Sequence, residues 1–390
     1  MLSLINHGFK KSEFEGRVAR AQTIMVQCKL DGLLLSAMDN VRYFLGVDSN
    51  FWESYTRPWL VLIPARGDPI AIIPEISRSL IEQTWLTDIR SWPSPRPEDE
   101  GTSLAIAAID ELPRRFGRVG AELGLELRLG MPPSQLHAIS TSLLGTEITD
   151  ASNLIWQLRM IKSSAEVDRI RQSIAIANFA FTHVPEFVNV GDSEREIHRK
   201  FRISLTEAGA DAIPMLLCRA EQGGINEVTG GPRNRRIKNG DLLFIDTGTV
   251  FDGYFCDYDR NFQVGNASDA LRLAYENVWE ANAIGIDAAK PGATAGSVFA
   301  AMNRHLSSSQ GDTNNNGRMG HGLGLRVSEP PSLRLGDNTR LQPGMVICVE
   351  PALEYEPGKM VLHEEIVLIT EDAATILTPR TPKELPRLRL

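Results

Sequence analysis

The stretch FIDTGTVFDGYFCDYDRNF, residues 244–262, decides the fold of this chain. It places two acids, Asp246 and Asp257, inside apolar segments rich in β-branched and aromatic residues, which predict strands. Between the two segments lies Asp252-Gly253, a dipeptide typical of a tight hairpin turn. We therefore predict a hairpin in which the two acids are cross-strand neighbours, with Cβ atoms about 5 Å apart.

A second pair of acids has the same arrangement further along the chain. Glu350 lies in CVEPAL and Glu364 in VLHEEIVLIT, and the turn signal Pro357-Gly358 lies midway between them. His321 lies in MGHGLGL, where the flanking glycines let the backbone approach its neighbours closely. Two acid pairs and one imidazole can therefore line one face of a sheet.

Buried carboxylates that lie this close together are costly unless a cation lies between them. Two divalent ions bridged by carboxylates and a water would remove the repulsion. A single Asp in a strand is more often solvated or near a turn than a metal ligand, and a single His is more often structural. Five such residues in two mirror-symmetric hairpins favour a binuclear metal site, and so an enzyme. The predicted metal ligands are Asp246, Asp257, His321, Glu350 and Glu364.

The neighbours of these acids follow from the alternation of side chains along a strand. The flanking residues are predicted to face the core, away from the site: Cys256, Tyr258, His363 and Glu365. Asp259 lies two residues beyond Asp257 and can face the site. A role in supporting the ligands and a place at the surface are both open for it.

Length, charge and cysteine usage bound the class of protein. A chain of 390 residues exceeds one ordinary core, so two domains are expected. The net charge of -8, with no basic stripe, argues against a nucleic-acid partner. No segment reaches the roughly 20 apolar residues that span a bilayer, and the N-terminus lacks the apolar core of a signal peptide. The four cysteines are far apart and are predicted to be buried thiols in a reducing compartment. These features predict a cytoplasmic protein without a membrane partner.

The chain is predicted to change character near residue 158. Residues 1–158 alternate helical and strand patterns, including the strand DGLLLSA and the hairpin formed by WLVLIP and PIAIIPE. In residues 159–390 two helices open with capping boxes, at Ser163 and at Ser193. The later segment PGATAGSVFAAM repeats the second of these helix starts. We predict a small α/β domain followed by an α+β domain with an internal duplication.

These motifs, in this order, resemble the pita-bread metallopeptidases, a group that includes methionine aminopeptidase, aminopeptidase P, prolidase and the metal-free creatinase. LRMIKSSAEVDRIR looks like the first helix of that family, and NGDLLFIDTG and LQPGMVICVEPAL look like its metal-binding strands. The resemblance implies a pita-bread catalytic domain preceded by a creatinase/prolidase-type N-terminal domain. It implies that the five residues above bind two ions of Mn, Fe, Co or Zn. A metal-bridging hydroxide would then be the nucleophile, Glu350 the proton shuttle, and the active form a homodimer.

The chain also departs from the family at positions that contact the substrate. Xaa-Pro peptidases carry a histidine where this chain has Thr229, and a second one where it has Ser328. An arginine is usual where Leu362 stands. The two histidines hold the substrate carbonyl and the developing oxyanion, and losing one such donor costs about 2.7–4 kcal/mol. Thr229 and Ser328 can donate neutral hydrogen bonds and are therefore candidate catalytic residues.

The N-terminal domain offers three candidate substrate contacts. Trp52 and Arg57 lie in NFWESYTRPW, and Trp92 follows in SWPSPRP. In the family the N-terminal domain of one subunit often borders the active site of its partner, so these side chains would cap the pocket, with Arg57 pairing a substrate carboxylate. Packing of the aromatic rings against the sheet is the competing interpretation.

The predicted function is metal-dependent hydrolysis of a small peptide or amide, with Xaa-Pro dipeptides as the default substrate. The alternatives are a non-peptide small molecule, as in ectoine hydrolase or dimethylsulfoniopropionate lyase, and a catalytically inert binding protein. The run ending in GGPR is similar to the lyase, but Gly248 stands where the lyase has an extra acid.

Overall fold

The chain divides into two units, described by a computed structural model that covers residues 5–53, 57–189, 191–307 and 317–388. One unit is Gly8–Arg159, and the other contains Met160–Leu390 together with the short segment that ends at His7. His7 belongs to the second unit because its imidazole Nε2 lies 2.9 Å from Oδ1 of Asp211. In the described part of the chain no helix is both long and apolar enough to cross a membrane.

The first unit is built on a six-stranded mixed sheet. Its strands are β1 (Gly32–Leu35), β2 (Leu60–Pro64), β3 (Ile70–Pro74), β4 (Asp88–Trp92), β5 (Arg118–Ala121) and β6 (Glu147–Asp150). Its helices are α1 (Lys11–Gln27), α2 (Met38–Leu45), α3 (Arg78–Ile81), α4 (Thr102–Asp110), α5 (Pro133–Ser142) and α6 (Ser152–Met160). The strand order is β4-β3-β2-β1-β5-β6, and the predicted hairpin is the antiparallel pair β2–β3. Strands β1 to β3 are buried along their whole length, because their residues form continuous apolar runs with both faces covered.

The second unit alternates pairs of helices with groups of strands. Its first half contains α7 (Ser164–Phe187), α8 (Glu194–Glu207), β7 (Ala212–Gln222), β8 (Asp241–Phe251), β9 (Tyr254–Phe255) and β10 (Tyr258–Val264). Its second half contains α9 (Asp269–Ala288), α10 (Ala295–Ser307), β11 (Gly320–Gly322), β12 (Glu329–Ser332), β13 (Val346–Val349), β14 (Ala352–Glu356), β15 (Lys359–Leu362), β16 (Glu365–Ile369), β17 (Ala374–Ile376) and β18 (Arg387–Leu388). The predicted α+β character is therefore present.

Three sheets carry these strands. One has the order β18-β10-β8-β7, with β9 paired to β8, and another has the order β12-β11-β13-β16-β17. The third is the hairpin β14-β15. Helices α7 and α8 pack on the first sheet, while α9 contributes Leu271, Tyr275 and Val278 to a core shared with Ile347 and Val367 of the second sheet. Each half therefore buries the apolar side of its helices against its own strands.

The predicted duplication is visible in how the helices start. Both predicted capping boxes are confirmed: Ser163 and Ser193 each accept a hydrogen bond from the backbone N–H three residues later, and the glutamate there bonds back. Ser193 also forms an isolated bridge with Arg236, just before β8. In the second half Thr294 forms the same bridge with Arg340, just before β13. The two halves thus bring a helix start to the beginning of a central strand in the same way.

Candidate metal centre

The first acid-bearing hairpin has a different register from the predicted one. Strand β8 pairs with β9 and β10 around the two-residue turn Asp252-Gly253, in which both residues have positive φ (48° and 81°). Such a turn pairs the residues next to it directly. Asp246 therefore lies opposite Asp259, not opposite Asp257, and the predicted cross-strand pair is wrong. Asp257 lies two residues nearer the turn, in the short interruption between β9 and β10.

The second hairpin follows the prediction. Val349 pairs with Glu365, and Ala352 pairs with Leu362, so the register places Glu350 opposite Glu364. Both acids lie in interruptions of the strands: Glu350 between β13 and β14, and Glu364 between β15 and β16. The register is the same on both sides of the interruption, and the two acids therefore remain facing each other.

His321 is placed on β11 by close backbone packing. A Cβ on Gly320 would lie 2.2 Å from the carbonyl oxygen of Cys348, and one on Gly322 would lie 2.1 Å from that of Pro330. Gly320 also has a φ of +144°, which side chains rarely allow. The ring Nδ1 of His321 lies 2.9 Å from the Gly322 carbonyl oxygen and donates to it, so Nε2 offers a lone pair toward the acids.

The structure brings the five predicted ligands together. Ligand atoms of Asp257, His321, Cys348 and Glu364 all lie within 4.8 Å of one another. The imidazole Nε2 of His321 lies 3.5 Å from Oδ2 of Asp257 and 3.4 Å from Oε1 of Glu350. Asp246 joins this group electrostatically, because the charge of Glu350 contributes to the shift of its pKa.

Several carboxylate oxygens in this group lack a hydrogen bond although they are buried. Oδ1 of Asp246, Oδ1 of Asp257 and Oε1 of Glu364 have no donor among the residues that the structure describes. Buried polar atoms in folded proteins are almost always satisfied, so unpaired oxygens that converge in one place indicate a missing partner. Oxygen atoms of four acids and an imidazole nitrogen are the donor set that divalent cations prefer. The residues present therefore fit a metal site.

The electrostatics of the group lead to the same conclusion. Burial raises the pKa of Asp246 to about 7, with a further contribution from the charge of Glu350. Burial likewise raises the pKa of Glu350 to about 7. The pKa values of Asp257 and Glu364 are raised well above the ordinary range by burial and by the neighbouring acids. Without a cation these groups can be buried only when protonated.

Three of the four residues predicted to face away from the acids have buried partners of their own. Tyr258 packs on Phe181 of α7, with ring centroids 5.1 Å apart. Glu365 accepts a hydrogen bond from Nη2 of Arg260 at 3.1 Å, and its Oε1 lies 3.2 Å from Nε2 of His363. This buried charge network ties β10 to β16.

Three further residues lie near the acids although the sequence did not predict a role for them in the site: Asp259, Cys348 and Arg318. Asp259 is fully buried, so a place at the surface is ruled out for it. Cys348 is a buried free thiol, as expected, and its Sγ lies in the ligand cluster because β13 pairs it with His321. Cys28 is exposed, so the prediction that all four cysteines are buried is wrong for this one.

Arg318 is half-buried, and its positive charge opposes the rise in the pKa of Asp257 and of Glu350. Its position three residues before His321 was the available signal.

The two candidate hydrogen-bond donors have different surroundings. Thr229 is exposed, and its N–H and hydroxyl both donate to Oε2 of Glu227, at 2.8 Å and 3.3 Å. Ser328 is half-buried and precedes Glu329, whose carboxylate lies 3.3 Å from the buried ammonium of Lys162. The catalytic roles of Thr229 and Ser328 stay predictions.

The three candidate substrate contacts lie in the first unit. Trp92 is 2% exposed and belongs to the core of the six-stranded sheet, which favours packing as its role. Trp52 is half-buried and meets Trp59 edge to face, with ring centroids 5.7 Å apart. Arg57 is half-buried. Their contacts with a substrate stay predictions.

Comparison with known proteins agrees with this architecture. The sequence profile of metallopeptidase family M24 matches residues 168–371, and that of the creatinase/prolidase N-terminal domain matches residues 17–161. The chain is similar to the uncharacterized peptidase YqhT of Bacillus subtilis, with 28% identity over 378 residues that cover 95% of this chain and 99% of the relative. It is also similar to the Xaa-Pro dipeptidase of Pyrococcus furiosus, with 32% identity over 242 residues that cover 61% and 68% of the two chains.

The fold itself is shared with a solved structure. The crystal structure of dipeptidase PepE from Mycobacterium ulcerans superposes with a TM-score of 0.85 at 24% identity, covering 98% of this chain and 99% of that one. The predicted fold class, a pita-bread domain after a creatinase/prolidase-type domain, is thereby confirmed. M24 metallopeptidases are dinuclear metal enzymes. The chain belongs to metallopeptidase family M24 and is a hydrolase related to the Xaa-Pro dipeptidases.

Proposed function

We propose that this protein is a binuclear metal-dependent dipeptidase that hydrolyses small peptides, with Xaa-Pro dipeptides as the first substrates to test. The two divalent ions would be held by five residues, Asp246, Asp257, His321, Glu350 and Glu364. The observation that carries the proposal is a group of buried carboxylate oxygens close to the imidazole of His321 that find no hydrogen-bond donor among the described residues. The names of the relatives, which include dipeptidases and Xaa-Pro dipeptidases, support the substrate class.

The chemistry divides between the ions and the protein. Two bound divalent ions would polarise the scissile carbonyl and make a water nucleophilic near neutral pH. Glu350 would accept a proton from that water and deliver it to the leaving amine. Glu350 is half-buried, whereas Asp257 and Glu364 are buried, so a substrate can reach Glu350 more easily than those two acids.

Recognition of a dipeptide needs a cation for its terminal carboxylate. Arg318 is half-buried and acts electrostatically on Asp257 and Glu350, so it lies close enough to the acids to serve this purpose. A guanidinium binds a carboxylate through two parallel hydrogen bonds. We therefore assign Arg318 to the substrate carboxylate, alongside the earlier candidate Arg57.

Metal content and turnover test the proposal together. Protein purified in the presence of Mn²⁺ should contain about two ions per chain by mass spectrometry. Ala-Pro and Gly-Pro should be hydrolysed, and chelation should abolish the activity. Fewer than one ion per chain after metal-replete purification would end the binuclear proposal.

A second candidate function follows from the two missing histidines. With Thr229 exposed and bonded to Glu227, and Ser328 unable to act as an imidazolium, the site resembles a peptidase centre with weaker means of holding a peptide carbonyl. A non-peptide amide or lyase substrate would suit such a site. Turnover of a cyclic amide or a betaine-like compound, without turnover of Ala-Pro or Gly-Pro, would favour this function. Two bound ions without turnover of either class would favour an inert binding protein.

A further inference from the structure

Asp259 occupies a position that the five predicted ligands do not account for. In the first hairpin it lies directly opposite Asp246. Residues directly opposite each other in an antiparallel pair point to the same face, with Cβ atoms about 4.5–5.5 Å apart. Asp259 therefore faces the same side of the sheet as Asp246.

The second hairpin contains an equivalent of Asp259, namely the residue that lies opposite the acid of the central strand. There Glu350 takes the place of Asp246. Asp246 lies in β8, which follows the bridged Arg236, and Glu350 comes directly after β13, which follows the bridged Arg340. The residue opposite Glu350 is Glu364, a predicted metal ligand. By the same register, Asp259 stands in the first half where Glu364 stands in the second.

The surroundings of Asp259 leave one of its oxygens without a partner. The side chain is fully buried, and Oδ1 has no hydrogen-bond donor in the part of the chain that the structure describes. Oδ2 is fixed by the amide of Asn261, whose Nδ2 donates to it at 2.6 Å. The same amide donates to the carbonyl oxygen of Leu362 at 2.7 Å, two residues before Glu364. The carboxylate is thus oriented by the strand that carries another ligand.

The adjacent cation has its own acidic partner. Nη2 of Arg260 donates to Glu365 at 3.1 Å, and Nη1 donates to the carbonyl oxygens of Asp259 and Glu364, at 2.6 Å and 3.1 Å. These bonds hold the backbone of both ligand-bearing strands and leave Oδ1 of Asp259 unpaired. A buried carboxylate with one fixed and one unpaired oxygen, beside four other acids, is suited to a cation.

We propose that Asp259 is a sixth residue of the metal site and contributes Oδ1 to the binding of the divalent ions, while Asn261 fixes Oδ2. The inference rests on the proposed function, because it requires that the four predicted acids and the imidazole bind divalent ions.

The test is calorimetric titration of metal-free protein with Mn²⁺, together with thermal unfolding of the metal-free and Mn²⁺-loaded forms. Asp259→Asn keeps the shape of the side chain and removes its charge. We expect the variant to bind Mn²⁺ about 10- to 100-fold more weakly than the wild type. The metal-free variant should unfold at a temperature no lower than that of the metal-free wild type, because one of five crowded acids is neutralised.

Two further variants separate the possible outcomes. Asp372→Asn changes an exposed aspartate in the loop after β16 and should bind Mn²⁺ as the wild type does. Asn261→Ser keeps the Asp259 charge but releases Oδ2, so its affinity should fall between those of the wild type and Asp259→Asn. Asn261→Ser can also test the inference if Asp259→Asn does not fold.

Unchanged Mn²⁺ affinity in Asp259→Asn would overturn the inference, and so would a less stable metal-free form with unchanged affinity, which indicates a structural role only. If Asp259→Asn does not fold, unchanged affinity in Asn261→Ser would overturn it. A wild-type protein that binds no Mn²⁺ would instead refute the proposed function, and the inference with it.

Discussion

The two halves of the second unit have the same order of elements, but they differ in which strands are interrupted at the predicted metal ligands. In each half a capped helix start is bridged to an arginine, and a central strand with an acid follows. In the first half β8 is unbroken, and only the return strand is interrupted, at Asp257. In the second half both strands are interrupted, at Glu350 and Glu364, which face each other.

This difference shows how acids can be directed into a site. A regular strand sends its side chains to alternating faces, so it can offer only every second residue. Where a strand is interrupted, the side chains no longer have to alternate between the two faces. Three of the four predicted acidic ligands lie at such interruptions: Asp257, Glu350 and Glu364. The first half therefore supplies an additional acid, because Asp257 in the interruption and Asp259 in the following strand are both buried beside Asp246.

The largest expected effect is on kcat, and it should differ between variants of the two equivalent acids, Asp246 and Glu350. Glu350→Gln should lower kcat for the substrate by about 10²- to 10⁴-fold, because the proton shuttle is lost. Asp246→Asn should lower activity in proportion to its metal content, since we expect that acid to bind metal without moving a proton. Steady-state kinetics and metal analysis of both variants measure the two effects. A Glu350→Gln enzyme with more than a tenth of the wild-type kcat would contradict this division of roles.

The next effect concerns stability in the absence of metal. Folding raises the pKa of Asp246 and of Glu350 to about 7, so the folded protein holds more protons than the unfolded chain between pH of about 4 and 7. The metal-free protein should therefore lose stability as pH rises through this window. Saturating Mn²⁺ should reverse the trend, because the ion binds the deprotonated acids.

Chemical denaturation between pH 5 and pH 8 measures this slope, with and without Mn²⁺. Asp246→Asn and Glu350→Gln should each flatten the slope of the metal-free protein, one variant from each half. Metal-free wild-type protein that gains stability from pH 5 to pH 7 would show that the acids are already paired without ions.

A gain of function is expected from restoring an imidazole. If the protein is a dipeptidase, Ser328→His should raise kcat/KM for an Xaa-Pro dipeptide by at least about tenfold, since one oxyanion donor is worth several kcal/mol. Thr370→His, at a half-buried position after β16, is the matched control and should not raise it. A loss of activity in Ser328→His would instead favour a substrate other than a peptide.

The smallest expected effect compares the helix starts of the two halves. Ser193 accepts from the N–H of Glu196 within a full capping box, whereas Thr294 accepts from the N–H of Ser297 without an acid that bonds back. Ser193→Ala should cost about 1 kcal/mol of unfolding free energy, and Thr294→Ala should cost less, about 0.5 kcal/mol. Denaturant unfolding of both variants measures the difference, and equal costs would show that the glutamate adds nothing.

Much of this arrangement could be predicted from local sequence. The Pro357-Gly358 turn signal gave the register between Glu350 and Glu364, and the two capping boxes were predicted from a serine and a glutamate three residues apart. The predicted register of the first hairpin is wrong because pairing Asp246 with Asp257 would require a turn centred between Phe251 and Asp252. The two-residue turn at Asp252-Gly253 in fact pairs Asp246 with Asp259.

Other features depend on contacts that no local pattern encodes. Burial of Asp259 requires the neighbouring strand of Leu362, which is bonded to Asn261 across a long sequence separation. The place of Cys348 beside His321 follows from the pairing of β11 with β13. The buried environment of Trp92 depends on the core formed around the first sheet.

The crowding around His321 limits how this protein can vary. At Gly320 and Gly322 even a methyl group would collide with a main-chain carbonyl oxygen, and moving that oxygen would displace β12 or β13. In a library of random variants, these two positions should accept no alternative amino acid because of these main-chain contacts alone. Evolution of a new specificity in this scaffold would thus have to proceed through residues such as Ser328, leaving the backbone that holds the imidazole untouched.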